Sequence, residues 1–459
     1  MVGVYVPAIL KRKEGPENEQ PYIPLGIFKL RLPFVHYEWE WPEAISALVM
    51  MATCLGAIPV LTETLGCSFE VAVTMVIING FLYMLHSYFG DAVIPGWVTP
   101  AIPLVVVHLT RYPIGPVRTQ ALIALNLMLG ILLIVLGVTG LAEWFANLIP
   151  ESLKSGIIFG AGLSAFNSIF AKGGRFDNAP VSVLVGIGIA MVTLFAGWYK
   201  NLAAKNPILK MLGNLGMVPA IIACIIVGPM VGELKVPQII WSITPTRFGE
   251  VFSRFSPFGI GFPAPNLFIE ALPLLVAVYV IAFGDFVFAK TVIGEADRAR
   301  KDEYIEFNVN RSSIISGVRN VCLGLFAPYT QNAGPLWAAM TVAVAERYKE
   351  GKDAMYSIWG GVGTFRTMTF LGLFIYPIVC VVRPALPIAY SVTLLVQAFA
   401  CAYISMLALG GNKNSIAVAV LTGAMLVLKG SAWGLGAGVV LYLVVEKVWN
   451  AVSAKATAG

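Results

Sequence analysis

From residue 42 almost to the C-terminus the chain is a succession of apolar runs, each long enough to cross about 30 Å of hydrocarbon. Lipid offers a backbone no hydrogen-bond partners, so every such run has to be helical. Hydrophobic residues make up 58% of the chain and charged residues only 12%, about half of what a soluble domain carries. No stretch remains that would form a soluble catalytic domain. The opening Val2 to Leu10 is apolar but short and lacks a small-residue cleavage site, so it is not read as a signal peptide. The segmentation gives fourteen spans or partial spans, and the bias of Lys and Arg favours both termini on the cytoplasmic side. That places the protein in an inner or plasma membrane. The fold class expected is an all-α polytopic membrane protein of 14 transmembrane segments in a 7+7 inverted repeat, with short extended stretches in spans 3 and 10.

Other classes find little support. The net charge is +6, but no basic stripe interleaved with aromatics marks a nucleic-acid partner. The six cysteines are scattered without a CxxC pair, so no metal site is expected and no cofactor beyond a coupling ion, H⁺ or Na⁺. No P-loop and no nucleophile–base constellation is visible, and the chain is read as not an enzyme. Residues 1–41 read as a cytoplasmic lead-in ending in an aromatic interface anchor at Tyr37, Trp39 and Trp41, and 450–459 as a cytoplasmic tail. The loops 233–265 and 292–310 read as solvated connections.

Two halves repeat. In the third span (92–108), Trp97-Val-Thr99-Pro100-Ala-Ile-Pro103-Leu104 lies over Tyr329-Thr-Gln331-Asn332-Ala-Gly334-Pro335-Leu336 of the tenth (328–345), Thr99 over Gln331 at an offset of 232 residues. Gly56 to Gly66 lies over Gly284 to Gly294 at an offset of 228. Seven spans per half is an odd number, so the second copy inserts upside down. Pro at the start of both matched segments disfavours helix at that depth, so each should begin extended and turn helical from about Pro103 and Pro335. Two helix N-termini then meet near the midplane, a site suited to a carboxylate, carbonyl or other electron-rich group.

Asp285 lies in the middle of the eighth span, where a carboxylate costs about 2.5 to 3.5 kcal/mol to insert. It should therefore face a cavity, a cation or a partner. It is assigned a substrate and coupling role, possible Na⁺ site included, with Arg319 and Arg366 as the ion-pair alternatives. Glu63 and Glu270 fall near span ends. His36, His86 and His108 fall near boundaries, with no carboxylate partner assignable from sequence.

These residues resemble the nucleobase:cation symporters of the nucleobase-ascorbate type, xanthine and uracil permeases, within the superfamily that includes sulfate permeases and bicarbonate transporters. Gln331-Asn332-Ala-Gly334 resembles the start of the family signature, which then places Thr at a position occupied here by Ala339; the nearest threonine is Thr341. The resemblance implies a core domain (42–142 and 266–383), a gate domain (143–265 and 384–449) and a homodimer. It implies a substrate site built from Asp285, Gln331, Asn332, Thr99, Trp97 and Gly334. The function expected is cation-coupled symport of a nucleobase-like solute by alternating access. The end of the chain soon after the last span favours the nucleobase branch over sulfate permeases. A symporter or exchanger of a small organic or inorganic anion is the alternative, weakened by the lack of a basic residue within Thr330 to Pro335. A channel is the reading from another class.

Overall fold

The structure, a computed structural model, describes residues 5–447 except 143, 145–147, 172–173 and 215–216. The expected tail at 450–459 and the first residues of the lead-in lie outside the described residues. In chain order the principal helices are α1 (Trp41–Leu55), α2 (Ala57–Leu65), α3 (Phe69–Phe89), α4 (Ile102–Leu109), α5 (Pro116–Thr139), α6 (Glu151–Phe170), α7 (Pro180–Phe195), α8 (Val218–Met230), α9 (Pro265–Ala299), α10 (Val309–Phe326), α11 (Ala338–Lys349), α12 (Ile358–Gly372), α13 (Leu386–Ala408), α14 (Lys413–Lys429) and α15 (Ser431–Leu441). Short strands are β1 (Tyr5–Val6), β2 (Ile23–Leu25), β3 (Phe28–Leu30), β4 (Trp39–Glu40), β5 (Gly96–Trp97) and β6 (Ala333–Gly334).

Six helical segments are long and apolar enough to cross a membrane: Trp41–Leu65, Phe69–Phe89, Pro116–Thr139, Glu151–Asn178, Pro265–Ala299 and Tyr376–Ala408. Pro180–Phe195 with Gly197–Ala203 makes a seventh if its 65° bend falls within one span. By length and composition, then, six or seven such helices occur among the described residues, and the count of fourteen spans or partial spans is not confirmed. Glycine and proline divide several expected spans into shorter pieces, Thr99–Leu109 and Val218–Met230 among them. Such a chain is an integral membrane protein.

The clearest division is the one the repeat predicts. β5 and β6 pair antiparallel, Gly96 opposite Gly334 and Trp97 opposite Ala333, extended by Val98 N–H to Asn332 O at 3.0 Å and Trp337 N–H to Ile94 O at 2.6 Å. A Cβ on Gly96 would sit 2.4 Å from Leu336 O, so the backbones meet this closely only because no side chain intervenes. Helix follows each strand, at the expected proline in the first case but not in the second. A 3₁₀ turn at Thr99–Ala101 leads into α4, with Pro100 in its first turn, whereas α11 starts only at Ala338, because the N–H of Trp337 is committed to Ile94.

Around this crossing, contacts come in exchanged pairs. α1 packs on α12 as α9 packs on α5, and α3 packs on α12 as α10 packs on α5. The α5–α10 contact is backbone-close: a Cβ on Gly317 would lie 2.6 Å from Gly130 O, the small-residue packing that holds helices together where lipid supplies no hydrophobic drive. A second group forms where α6 packs on α13 and α14 and α7 on α8 and α13.

The lead-in is not a solvated segment. β1 pairs with β4 and β2 with β3, and the whole stretch folds against the ends of α3, α9, α11 and α12. Tyr37 and Trp39 are buried, and only Trp41 is exposed, so the expected interface anchor is reduced to that one residue. Tyr37 fills the space above Gly363, where a Cβ would lie 2.4 Å from its hydroxyl. Nor is 292–310 a free loop. α9 runs to Ala299, and beyond it Arg300 and Glu303 are buried, with Glu303 Oε2 2.8 Å from Arg12 Nη1. Charges this deep need partners, and each loop supplies the other's.

Candidate functional site

The segment 329–333 is held at both ends by an asparagine amide. Asn126 of α5 accepts from Tyr329 N–H and donates to Tyr329 O, both at 3.1 Å. Asn320 of α10 does the same for Ala333, both at 2.9 Å. Helix alone cannot satisfy an extended segment inside a bundle, so side-chain amides replace the missing backbone partners. Thr341, the threonine displaced from the signature position, receives the N–H of Ile94 at 3.0 Å and so ties α11 to the strand before α4.

Of the expected site residues, Gln331 and Asn332 are buried and Thr99 is half-buried, all at the crossing. Gln331 Oε1 accepts from Thr330 Oγ1 at 2.8 Å, and its Nε2 faces Ala57 O at 3.5 Å, where α1 breaks into α2. Asn332 has both amide atoms buried without a hydrogen-bond partner among the described residues. Thr99 Oγ1 lies 3.5 Å from Trp97 O. Trp97 lies 6.4 Å from the Tyr329 ring, and its indole N–H is buried without a partner. Gly334 contributes its carbonyl, which accepts from Arg319.

Arg319 and Arg366 lie on the same crossing. Arg319 of α10 donates to Gly334 O at 2.9 Å and Gly96 O at 3.4 Å, one carbonyl from each strand. Its guanidinium sits 4.5 Å from the Tyr83 ring centre, and that of Arg366 from α12 sits 4.2 Å from the same ring. Arg366 also lies 5.2 Å from the Trp337 ring, and none of its nitrogens reaches a hydrogen-bonding oxygen among the described residues. Both side chains are fully buried, and neither has a carboxylate within ion-pairing distance among the described residues. Two uncompensated positive charges are costly in such a place, each by several kcal/mol of lost hydration.

Asp285 is not their partner. It is half-buried on α9 and makes no ion pair among the described residues, which sets aside the expected pairing with Arg319 or Arg366. The Cys401 thiol of α13 is within its electrostatic reach. Cys401 in turn packs against Gly162 of α6, where a Cβ would lie 2.8 Å away. Asp285 thus lies within electrostatic reach of Cys401 on α13, while the arginines lie among α3, α10 and α12.

Sequence reasoning missed Asp91. It is fully buried, accepts from His86 Nδ1 at 2.8 Å and from Arg311 Nε at 3.3 Å. His86 thus has the carboxylate partner that could not be assigned. Its only signal in the sequence was an acid directly after Gly90, which ends α3 with a φ of 111°. Glu63 pairs with Arg175 and Glu270 accepts from the Tyr112 hydroxyl, as suits carboxylates at span ends. His108 is buried with Nε2 unpartnered. No group of His, Cys, Asp and Glu suited to a metal occurs among the described residues.

No family model and no curated protein matches the chain. Solved structures do. The transmembrane domain of a cyanobacterium bicarbonate transporter, BicA, aligns with a TM-score of 0.56 at 12% identity, covering 86% of this chain and 96% of that one. The murine Solute Carrier 26 family member A9 anion transporter in the inward-facing state aligns at 0.51 and 15% identity, over 89% of this chain and 68% of that one. A further SLC26A9 structure aligns at 0.54 and 14%, over 88% and 64%. These neighbours fall in the wider superfamily of the resemblance and give no support to its nucleobase branch. The chain has the fold shared by these transmembrane domains.

Proposed function

We propose that the protein is a secondary transporter of a small anion, moved by alternating access and coupled to H⁺ or Na⁺. The observation that carries this reading is the pair of buried arginines without a carboxylate, placed where the strands of two broken helices cross. Arg319 fixes both strand carbonyls, and the helix N-termini beyond them add partial positive charge. A neutral nucleobase leaves this charge uncompensated; an anion does not. The neighbouring structures, described as bicarbonate and anion transporters, support the same choice. The basic residues that the tenth span lacks come from the ninth and eleventh.

In this reading Asn332, Thr99 and Gln331 contact the solute, with Trp97 and Gly334 shaping the site. Asp285 takes the coupling cation within reach of Cys401 on α13. The exchanged helix pairs fit the seven-plus-seven repeat, with 42–142 and 266–383 as the moving core and 143–265 and 384–449 as the gate. A homodimer with cytoplasmic N- and C-termini completes it.

The test is uptake into proteoliposomes of sulfate, chloride, formate and bicarbonate beside uracil and xanthine, with an imposed pH or Na⁺ gradient. Saturable, gradient-driven uptake of at least one anion is expected. Uptake of a nucleobase with no response to any anion would overturn the reading, and a current linear in anion concentration would make the protein a channel.

A further inference from the structure

His86 and Asp91 play no part in the transport scheme above, yet they form a buried ion-pair geometry one helical turn from the Tyr83 ring that its arginines flank. The Nδ1 of His86 lies 2.8 Å from Asp91 Oδ2. A carboxylate there can only accept, so the neutral ring carries its proton on Nδ1 and leaves the Nε2 lone pair facing Ser316 Oγ at 3.5 Å. Asp91 is oriented from the other side by Arg311 Nε at 3.3 Å. Ser316 O accepts from Asn320 at 2.9 Å, the residue that clamps Ala333. On α3, His86 follows Tyr83 by three residues and shares its face, and Tyr83 is the ring flanked by both Arg319 and Arg366.

We infer that His86, held by Asp91, is a second protonation site whose charge sets the affinity of the anion site. The groups facing the imidazole are Asp91 from the turn after α3, Arg311, Ser316 and Arg319 from α10, Arg366 from α12, and Tyr83 on its own helix. Asp91 favours a proton on Nε2. The guanidiniums oppose it as long as they lack a counter-charge. An anion at the crossing supplies that counter-charge, so anion binding and proton uptake at His86 reinforce each other, as linkage requires. The proton comes from solvent, adds to the Nε2 lone pair, and leaves an imidazolium donating to Ser316 Oγ. For one added charge at about 10 Å and an effective dielectric of about 20, the gain in affinity is roughly tenfold. This is separate from Asp285, which lies within electrostatic reach of Cys401 on α13. It tunes binding rather than carrying the coupling ion.

The inference rests on the anion reading, and its test separates the two. Binding of sulfate and of chloride to the purified full-length protein is measured by calorimetry from about pH 8 down to about pH 4, with proton uptake followed by a dye in weak buffer. Wild type should tighten roughly tenfold on acidification and take up protons as the anion binds. In an Asp285→Asn background, which silences the coupling site, His86→Gln should bind with the weaker, alkaline affinity at every pH and take up no proton with the anion; Asp91→Asn, which keeps an acceptor for Nδ1 but removes its charge, should lose most of the gain. Should His86→Gln fail to fold, Asp91→Asn and the proton count of Asp285→Asn decide the matter. Anion binding with an unchanged pH profile in these variants overturns the inference and leaves the anion reading intact. Absence of binding by either anion to wild type at any pH overturns both.

Discussion

Two clusters of buried arginine lie within the same set of helices, and they are built on opposite rules. At the end of the molecule covered by the N-terminal segment, Arg12 meets Asp302 and Glu303, each at 2.8 Å, Arg31 meets Glu19 at 3.1 Å, Arg300 meets Asp302 at 2.6 Å, and Arg311 meets Asp91 and Glu306 at 3.3 and 3.2 Å. At the strand crossing, Arg319 meets two carbonyls and an aromatic face, Arg366 meets aromatic faces and the Cys54 thiol, and neither meets a carboxylate among the described residues. Both clusters have given up water. Only the first has replaced it with counter-charge, and on the proposed anion reading the difference separates a fastening from a binding site. The carboxylates sort the same way: Glu303 sits between Arg12 and the Ser357 hydroxyl, whereas Asp285 makes no ion pair among the described residues.

The comparison breaks most completely at Asp285. Asp285→Asn cannot ionise, so in proteoliposomes it should still bind anion but lose accumulation against a gradient, which for a one-proton symporter is about tenfold per pH unit. Accumulation at the wild-type level would reduce Asp285 to a packing residue.

At the fastening, Arg12→Met leaves Glu303 buried without its partner, and losses of about 3 to 5 kcal/mol are typical of such a break. Proteolysis of the N-terminal segment should accelerate accordingly, while the choice among anions stays unchanged. At the crossing the expectation reverses. Arg366→Met among Tyr83, Trp337 and Phe365 should hold or raise the thermal midpoint, since no carboxylate is orphaned, and should weaken anion binding by about tenfold to a hundredfold. If Arg366→Met destabilises as Arg12→Met does and binding survives, the two clusters are alike after all.

The smallest effect is one of pH. Burial first, and then the neighbouring Glu43 carboxylate, push Glu40 up from 4.5 to about 8; burial pushes Glu38 to about 7. A carboxyl raised in the folded state stabilises it fully below its unfolded value, and that contribution fades as pH rises through the folded value. The N-terminal segment should therefore loosen between about pH 4.5 and pH 8, and Glu40→Gln should flatten this dependence, gaining roughly 1 to 2 kcal/mol at the alkaline end. Amide exchange of residues 23–40 against pH reads it directly, and a wild-type profile that stays flat would remove the titration.

The outcome at the crossing shows what kind of information a sequence holds. Pro100 and Pro335, the glycines beside them and the matched offset were enough to place two broken helices opposite each other, because proline and glycine act on their own backbone wherever they stand. The paired strands Gly96–Trp97 and Ala333–Gly334 followed from that. The start of α4 fell where Pro103 placed it, whereas that of α11 was displaced because it depends on which N–H is already engaged: Trp337 N–H belongs to Ile94, a commitment made across the fold.

Charge partnership was legible only at the span ends, where Glu63 and Glu270 behave as their position suggests. Apolar periodicity and composition determined that this chain lives in a bilayer, that its spans are helices, and that two of them are interrupted in matching places. The tertiary structure alone decided that Asp91 reaches Arg311 across 220 residues of chain, that the lead-in folds onto the loop at 300–308, and that Arg319 and Arg366 go without a carboxylate. The hydrophobic effect is local and additive along a helix, so sequence reports it; a buried charge is satisfied or left wanting by whatever the fold brings within about 4 Å, and that distance is set by the packing of every helix at once.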